Sequence, residues 1–401
     1  MTVVTDLDLP SFDLSDPGLV GEEYHRRLAA LRRENWLARS PIALIVLARA
    51  PAEFFLRAGA TAFPGRQIAA LFGVTAGPLF DHIDANILNL SEATHRRLRN
   101  IVARAFTPLA ANRWRPTMRQ ILEQLWAGLE RDGGTEVVTA LAKPYPALTI
   151  ATILGAPPED APRLHNWSTW VQRQFDIRAL STDLDRIEAA VVEVYAYVEG
   201  LLAGSPDPST LLGALVAAEA EGERLSHTEC VNLAVNVLAG AIDTTQSQLA
   251  HALHLFAAHP EQWALLQRSP DLVTPAVTEV LRMEPVTPFT ARLCVEDIEY
   301  QGVVFPAGTI VAICAERANR ESSAGERFDI TTSREDRLLT FGAGPHYCLG
   351  ANLARAELEE AIRFLAPRML GLAPDGPVSF GAIEGIYSIE ALPLRWTPAT
   401  R

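Results

Sequence analysis

Apolar residues recur three and four positions apart through most of this 401-residue chain, the spacing that turns one face of a helix toward a core. The pattern predicts a first helix over Glu22–Arg33 and a strand over Ile42–Leu47, after the turn at Ser40-Pro41. Phe63 to Leu90 is apolar but broken by Pro64, Gly73, Gly77 and Pro78, which predicts a loop carrying short helices. A connection of that length inside a compact protein is usually functional. Glu92–Phe106 reads as a basic helix stopped at Thr107-Pro108, and helical spacing then dominates to residue 203. Ser226 and Glu229 form a capping box that opens the longest helix. Its pattern runs to Ala258 and stops at His259-Pro260, about 48 Å at ~1.5 Å per residue. Thr274, followed by Pro275, predicts the cap of another helix. Phe289 to Cys314 alternates as strands do, with turns at Gln301-Gly302 and Pro306-Ala307-Gly308. An irregular stretch to Thr340, a glycine-rich loop and a last helix from Cys348 to about Ala366 follow, and Val378–Trp396 returns to strand and turn. The expected fold is mainly α with a minor β region, in one domain over residues 1–401.

Composition supports that reading and narrows the partners. Hydrophobic residues make up 48% of the chain, enough for a large core. The formal net charge of -13 disfavours nucleic acid and anionic membrane as partners. Lys143 is the one lysine, and with the abundance of alanine this points to a GC-rich bacterial genome. Met1 to Pro10 has neither the basic nor the apolar region of a signal peptide, and the early apolar run Ile42–Ala48 is too short to span a bilayer. A cytoplasmic monomer is expected. Cysteines stand at 230, 294, 314 and 348, with no CxxC pair and no zinc spacing. Cys230, Cys294 and Cys314 lie in apolar surroundings and read as small buried hydrophobes.

Cys348 is different. Residues 341–350 read Phe-Gly-Ala-Gly-Pro-His-Tyr-Cys-Leu-Gly. Gly342, Gly344 and Gly350 let the backbone approach a flat ligand. The cysteine falls where loop becomes helix, and free N–H groups there stabilise a thiolate. A shielded lone thiolate suits an axial haem ligand. Three other readings stay open on these residues alone. One is a buried cysteine at a helix start. Another is a nucleotide loop, although the GxGxxG spacing fails. The third is a nucleophilic cysteine beside His346, although nothing completes a triad.

The pattern Phe341-x-x-Gly344-x-His346-x-Cys348-x-Gly350 resembles the haem-ligand signature of the cytochrome P450 family, specifically its bacterial, soluble haem-thiolate monooxygenases. Further motifs in the family's order extend the resemblance over nearly the whole chain. It implies haem b held by Cys348, with Phe341, Gly342, His346 and Gly350 in the cradle and His95, Arg99 and Arg292 at the propionates. It implies that Glu279 and Arg282 form a buried pair locking that side, on which Ala318–Glu321 and Arg327–Ile330 pack. By themselves, Glu279 and Arg282 equally describe a surface ion pair, and His95 and Arg99 a solvated helix face. Gly240-Ala241-Ile242-Asp243-Thr244 resembles the oxygen-activation motif, with Asp243 and Thr244 as catalytic proton carriers. The bland alternative is helix packing by small residues, with Thr244 bonding back to the Gly240 carbonyl. Ala241 stands where the family usually has glycine, which opens the way to oxidative coupling or desaturation beside hydroxylation. The Asp243-Thr244 pair separates the chain from the peroxide-using branch.

The resemblance places substrate contacts at Phe72, Phe80, Trp170, Phe175, Val237, Ala241, Val286, Phe289, Ile386 and Tyr387, so the expected substrate is a small hydrophobic or aromatic molecule, oxidised in secondary metabolism or catabolism. Arg66, Asp81, Arg173 and Arg178 are candidates for meeting a polar group on it. No flavin or NAD motif occurs, so ferredoxin and ferredoxin reductase are the expected electron donors, docking on Arg96, Arg97, Arg104 and Arg355. A non-catalytic haem sensor or recruitment module is the competing class.

Overall fold

The computed structural model describes residues 2–129, 133–220, 225–321, 325–333 and 336–398. Helices form most of it, with a minor β region. The long helix His227–Ala258 runs through the centre. Its start is the capping box read from the sequence. The Ser226 hydroxyl accepts from the Glu229 N–H, and the Glu229 carboxylate accepts from the Ser226 N–H. Around it pack the helices Pro144–Leu154, Ala161–Gln172 and Leu184–Ala203, burying Leu233, Leu238, Ile242, Leu249, Leu253 and Phe256.

The main sheet lies to one side. Its strand order is Leu37–Arg39, Leu44–Val46, Ile310–Cys314, Phe289–Cys294 and Thr61–Ala62. The first pairing is antiparallel and the second parallel. Gln301 and Gly302, both at positive φ, make the turn between Ile298–Tyr300 and Val303–Phe305. Near the C-terminus, Met369–Pro374 and Gly134–Glu136 flank Pro393–Pro398 in a small antiparallel sheet.

Several boundaries differ from expectation, each for a local reason. The predicted helix Glu92–Phe106 is α-helical over Glu92–Val102 and tightens into a 3₁₀ turn over Ala103–Phe106 before Thr107-Pro108. Thr274 does not cap its helix. A 3₁₀ turn over Pro270–Leu272 runs straight into Val273–Met283, so Thr274 lies in the first turn. The last helix begins at Ala351 rather than Cys348, because the loop uses residues up to Gly350 to shape the site below.

Glu279 and Arg282, on the helix Val273–Met283, are 3% and 1% exposed, so the surface-pair reading is set aside. The Arg282 guanidinium donates to both Glu279 carboxylate oxygens at 2.7 and 2.8 Å. It also donates to the carbonyls of Gly325 (2.6 Å) and Arg327 (2.9 Å), while Glu279 accepts from the Asp329 N–H at 3.0 Å. Thr340, the residue before the cysteine loop, donates to the Leu281 carbonyl of the same helix at 2.6 Å. Asn319 joins the two segments, accepting from the Leu339 N–H and donating to Thr340. One helix thus anchors the irregular chain that leads to Cys348.

Arg282→Ala should lower stability by about 3–5 kcal/mol, because it takes the guanidinium away from the buried Glu279 carboxylate and from the two carbonyls it pins. Arg282→Lys should recover only part, since an ammonium lacks the fork that reaches carboxylate and carbonyls together. Urea unfolding midpoints followed by circular dichroism check both variants.

Candidate active site

The loop from Phe341 to Gly350 is shaped by two left-handed glycines, Gly342 (φ 69°) and Gly344 (φ 70°). At Gly344 a Cβ would stand 2.6 Å from the Leu56 carbonyl oxygen, so only glycine fits. The Gly342 N–H donates to Leu339, and the Cys348 N–H donates to Phe341, closing the loop on itself. Arg355 lies over the Phe341 ring, its guanidinium carbon 4.7 Å from the centroid.

Cys348 has exposed surface. Even so, burial is the largest influence on its thiol and pushes it above the usual cysteine range. Both hold if the sulfur faces a hollow inside the protein. The backbone N–H groups of Gly350 and Ala351, and the charges of Arg99 and Arg355, oppose that shift and favour the thiolate. Burial pushes the other thiols up too, to about 12 for Cys230 and Cys314 and about 11 for Cys294, as inert core cysteines require.

Four basic side chains converge beside this loop. The His95 and His346 rings are 4.4 Å apart between centroids. Arg292, 3% exposed, donates only to the Ala291 carbonyl next to it in sequence, at 2.8 Å. Arg99 donates to the Tyr347 carbonyl. Burial lowers all four. His346 falls to about 3, with the charges of Arg292, His95 and Arg99 adding to burial, and Arg292 falls to about 10. No carboxylate figures among the influences on His95, His346 or Arg292. His95 Nε2 and His346 Nδ1 are buried with no partner among the described residues. Buried donors and cations of this kind need an anion. A flat dianionic ligand with a metal facing the Cys348 sulfur fits them, and haem b is such a ligand.

The central helix carries the other candidate residues. Gly240 is exposed in the middle of this largely buried helix, and a Cβ there would meet nothing within 4 Å. Ala241 and Thr244 are half-buried. The Thr244 hydroxyl donates to the Gly240 carbonyl at 2.7 Å, so its free lone pairs can accept a further hydrogen bond. Asp243 turns the other way. Its carboxylate accepts from the Thr169 hydroxyl at 3.0 Å and lies 3.9 Å from His165 Nε2, both on the neighbouring helix Ala161–Gln172. His165 Nε2 also lies 2.6 Å from Gln246 Oε1. Burial pushes the Asp243 carboxyl up to about 6 against the pull of His165, Thr169 and Arg173, and Glu390 pushes it further up. The sequence reading missed Thr169 and His165. They are four apart on one helix face, but nothing in that spacing says which acid they meet.

The candidate substrate contacts divide. Phe72, Phe80, Trp170, Val237 and Ala241 are half-buried against the main core. Trp170 is flanked by the guanidinium groups of Arg173 (4.8 Å) and Arg186 (4.2 Å). Phe175 meets Phe63 at 5.9 Å, and Gly385, next to Ile386, approaches Asp176 and Phe175. Val286 is buried. Phe289 and Tyr387 belong to a separate cluster with Phe12 and Tyr24. The Tyr387 hydroxyl accepts from the Gly21 N–H at 2.6 Å, and its N–H donates to Val286. Of the polar candidates, Arg66 is paired with Asp84, Arg178 lies 3.8 Å from Glu384, and Arg96 and Arg97 are paired with Glu92 and Glu229.

Comparison with known proteins bears on all of this. The family model described as Cytochrome P450 matches residues 181–364. Luteothin monooxygenase of Streptomyces thioluteus is 34% identical over 400 residues, covering 98% of this chain and 97% of its own. Cytochrome P450 monooxygenase PikC of Streptomyces venezuelae is 32% identical over 326 residues, covering 78% and 76%. The crystal structure of CalO2 superposes with a TM-score of 0.89 at 29% identity, over 98% of this chain and 100% of that one.

Gly344→Ala should distort the loop and cost about 1–3 kcal/mol, since it adds both a clash with Leu56 and a strained φ. A lowered thermal midpoint, with Gly342→Ala milder because a Cβ there meets only the His346 carbonyl at 3.9 Å, is the expected result.

Proposed function

The chain belongs to the cytochrome P450 family, and from that premise we propose that it is a haem-thiolate monooxygenase acting on a small hydrophobic or aromatic molecule. One observation carries the reading. A thiol with exposed surface, whose neighbouring N–H groups favour the thiolate, stands beside buried basic groups that have no anion among the described residues.

Bound there, haem b supplies an iron that takes up and activates dioxygen. Cys348 would hold that iron as a thiolate, favoured by the Gly350 and Ala351 N–H groups. His95, Arg99, Arg292 and His346 would hold the propionates through charge-assisted hydrogen bonds. Burial keeps His95 and His346 neutral without a ligand, and the arriving carboxylates favour their protonation.

Proton supply falls to the central helix. Thr244 would accept a hydrogen bond from a water or a bound group while its own hydroxyl donates to the Gly240 carbonyl. Asp243, buried and holding its proton up to about pH 6, is the acid behind it. Its carboxyl rests on Thr169, so passing a proton to the Thr244 side needs a side-chain rotation or a bridging water. The space beside Gly240, next to Ala241, is clear, which supports ordinary oxygen insertion over coupling or desaturation.

Electrons are expected from ferredoxin through its reductase. Arg104 is exposed and Arg355 lies beside the cysteine loop, which supports docking there, whereas Arg96 and Arg97 already have carboxylate partners. No described helix is long and apolar enough to cross a membrane. Luteothin monooxygenase, matched over nearly its full length, supports a role in secondary metabolism.

The reduced, carbon-monoxide-bound protein should show the red-shifted Soret band of thiolate ligation, and Cys348→Ser should lose it. An unshifted band in the wild type sinks the proposal. Thr244→Ala should keep consuming reductant while product per reductant falls roughly tenfold or more. The pH dependence follows from Asp243. It donates only when protonated, so above about pH 6 its protonated fraction falls tenfold per pH unit. Proton-limited turnover should decline on that side in the wild type and be flat and slow in Asp243→Asn, read from rate against pH.

A further inference from the structure

We propose that Asn236 is a hydrogen-bond donor for a neutral oxygen acceptor, a carbonyl or ether oxygen, on the substrate. The proposal rests on the monooxygenase reading and names a feature of the molecule it oxidises.

Asn236 lies on the central helix one turn before Gly240, so the two share a face. That face also carries Asn232 one turn earlier, and Leu233, Val237 and Thr244 run beside it. The carboxamide is held in one orientation. Its Oδ1 accepts from the Ile87 N–H at 2.9 Å, and flipping the group would set an NH₂ against an N–H. The Nδ2 is therefore turned away from Ile87. It is buried and has no partner among the described residues. Buried amide donors are nearly always paired, so an orphan of this kind marks the place of something that binds.

Asn236 lines a cavity of about 80 Å³ whose other walls include Ala85, Ile87, Leu90, Leu98 and Leu233. That volume holds one end of a molecule and not the whole, so the remainder would extend toward the open space at Gly240. The cavity wall is mostly apolar, and its one charged group, Glu229, is already paired with Arg97. A carboxylate ligand would be repelled and a cation has no free partner there, which leaves a neutral acceptor. The simpler occupant is a water held by Asn236 with Asn232 or Thr94, which also line the cavity.

Asn236 also ties down the backbone of Ile87, so the test must separate donor from tether. Asn236→Asp keeps an oxygen for the Ile87 N–H and replaces the NH₂ by a second acceptor, whereas Asn236→Leu removes both. The probes are acetophenone and α-methylstyrene, which share shape and differ in a C=O against a C=CH₂. Their dissociation constants are read from the Soret shift of the haem-loaded protein at pH 8. The expected wild-type preference for the ketone over the hydrocarbon is on the order of tenfold. Asn236→Asp and Asn236→Leu should both lose it, with hydrocarbon binding retained in Asn236→Asp. A wild type that binds the ketone no better than the hydrocarbon overturns the proposal. A preference kept in Asn236→Asp overturns it too and assigns the cavity to water. Loss of the thiolate-shifted carbonyl band in the wild type is a different failure, that of the monooxygenase reading itself.

Discussion

Everything near Cys348 hangs from one buried arginine. Arg282 neutralises Glu279 and also takes the carbonyls of Gly325 and Arg327. An ion pair without further hydrogen bonds would not repay its desolvation in such a place. Here every strong donor and acceptor finds a second use, and each use pins irregular chain rather than helix. Irregular chain cannot satisfy its own backbone, so it needs partners of this kind to hold a fixed path. Thr340 and Asn319 extend the anchoring to the residue before Phe341. The position of the sulfur is thus a consequence of charges well outside the hollow.

The opposite condition rules the other side of the loop. There the buried groups are two guanidiniums and two imidazoles that burial keeps neutral, and among the described residues two histidine nitrogens have no partner and Arg292 donates only to its neighbour's carbonyl. The proximal scaffold is electrostatically complete, and the hollow's edge is not. A protein spends stability to keep like charges buried together, and that makes sense where a ligand of opposite charge completes them. The same contrast separates the cysteines. Three are buried with thiols pushed to about 11 or 12, chiefly by that burial, and the fourth alone has both exposed surface and aligned N–H donors.

Local signals in the sequence were legible wherever the structure uses local bonds. The Ser226–Glu229 box is one helical turn closing on itself, and it appears as read. The glycine-rich loop and its cysteine carried the family resemblance. Boundaries failed where a neighbour took over. Thr274 lost its cap to a preceding 3₁₀ turn, and Cys348 stands ahead of its helix because the loop needs the residues through Gly350. Contacts across elements were the least legible. Tyr387 and Phe289 sit in a cluster with the N-terminal residues Phe12 and Tyr24, an assignment that no periodicity carries. Asn236 was not legible either, because nothing in helical spacing shows that its carboxamide meets the backbone of Ile87, well over a hundred residues away.

Asp243 and Thr244 show why adjacency along a chain is a poor guide to chemistry. Consecutive residues on a helix point about 100° apart. Thr244 therefore meets the Gly240 carbonyl on the side of the hollow, and Asp243 meets Thr169 and His165 on the next helix. The acid is buried enough to hold a proton to about pH 6, and its nearest basic neighbour, His165, lies 3.9 Å away on the next helix with its side chain 21% exposed. Two residues adjacent in the chain are thus held by different partners on different faces, one by its own helix backbone and the other by a neighbouring element, a division that their adjacency does not show.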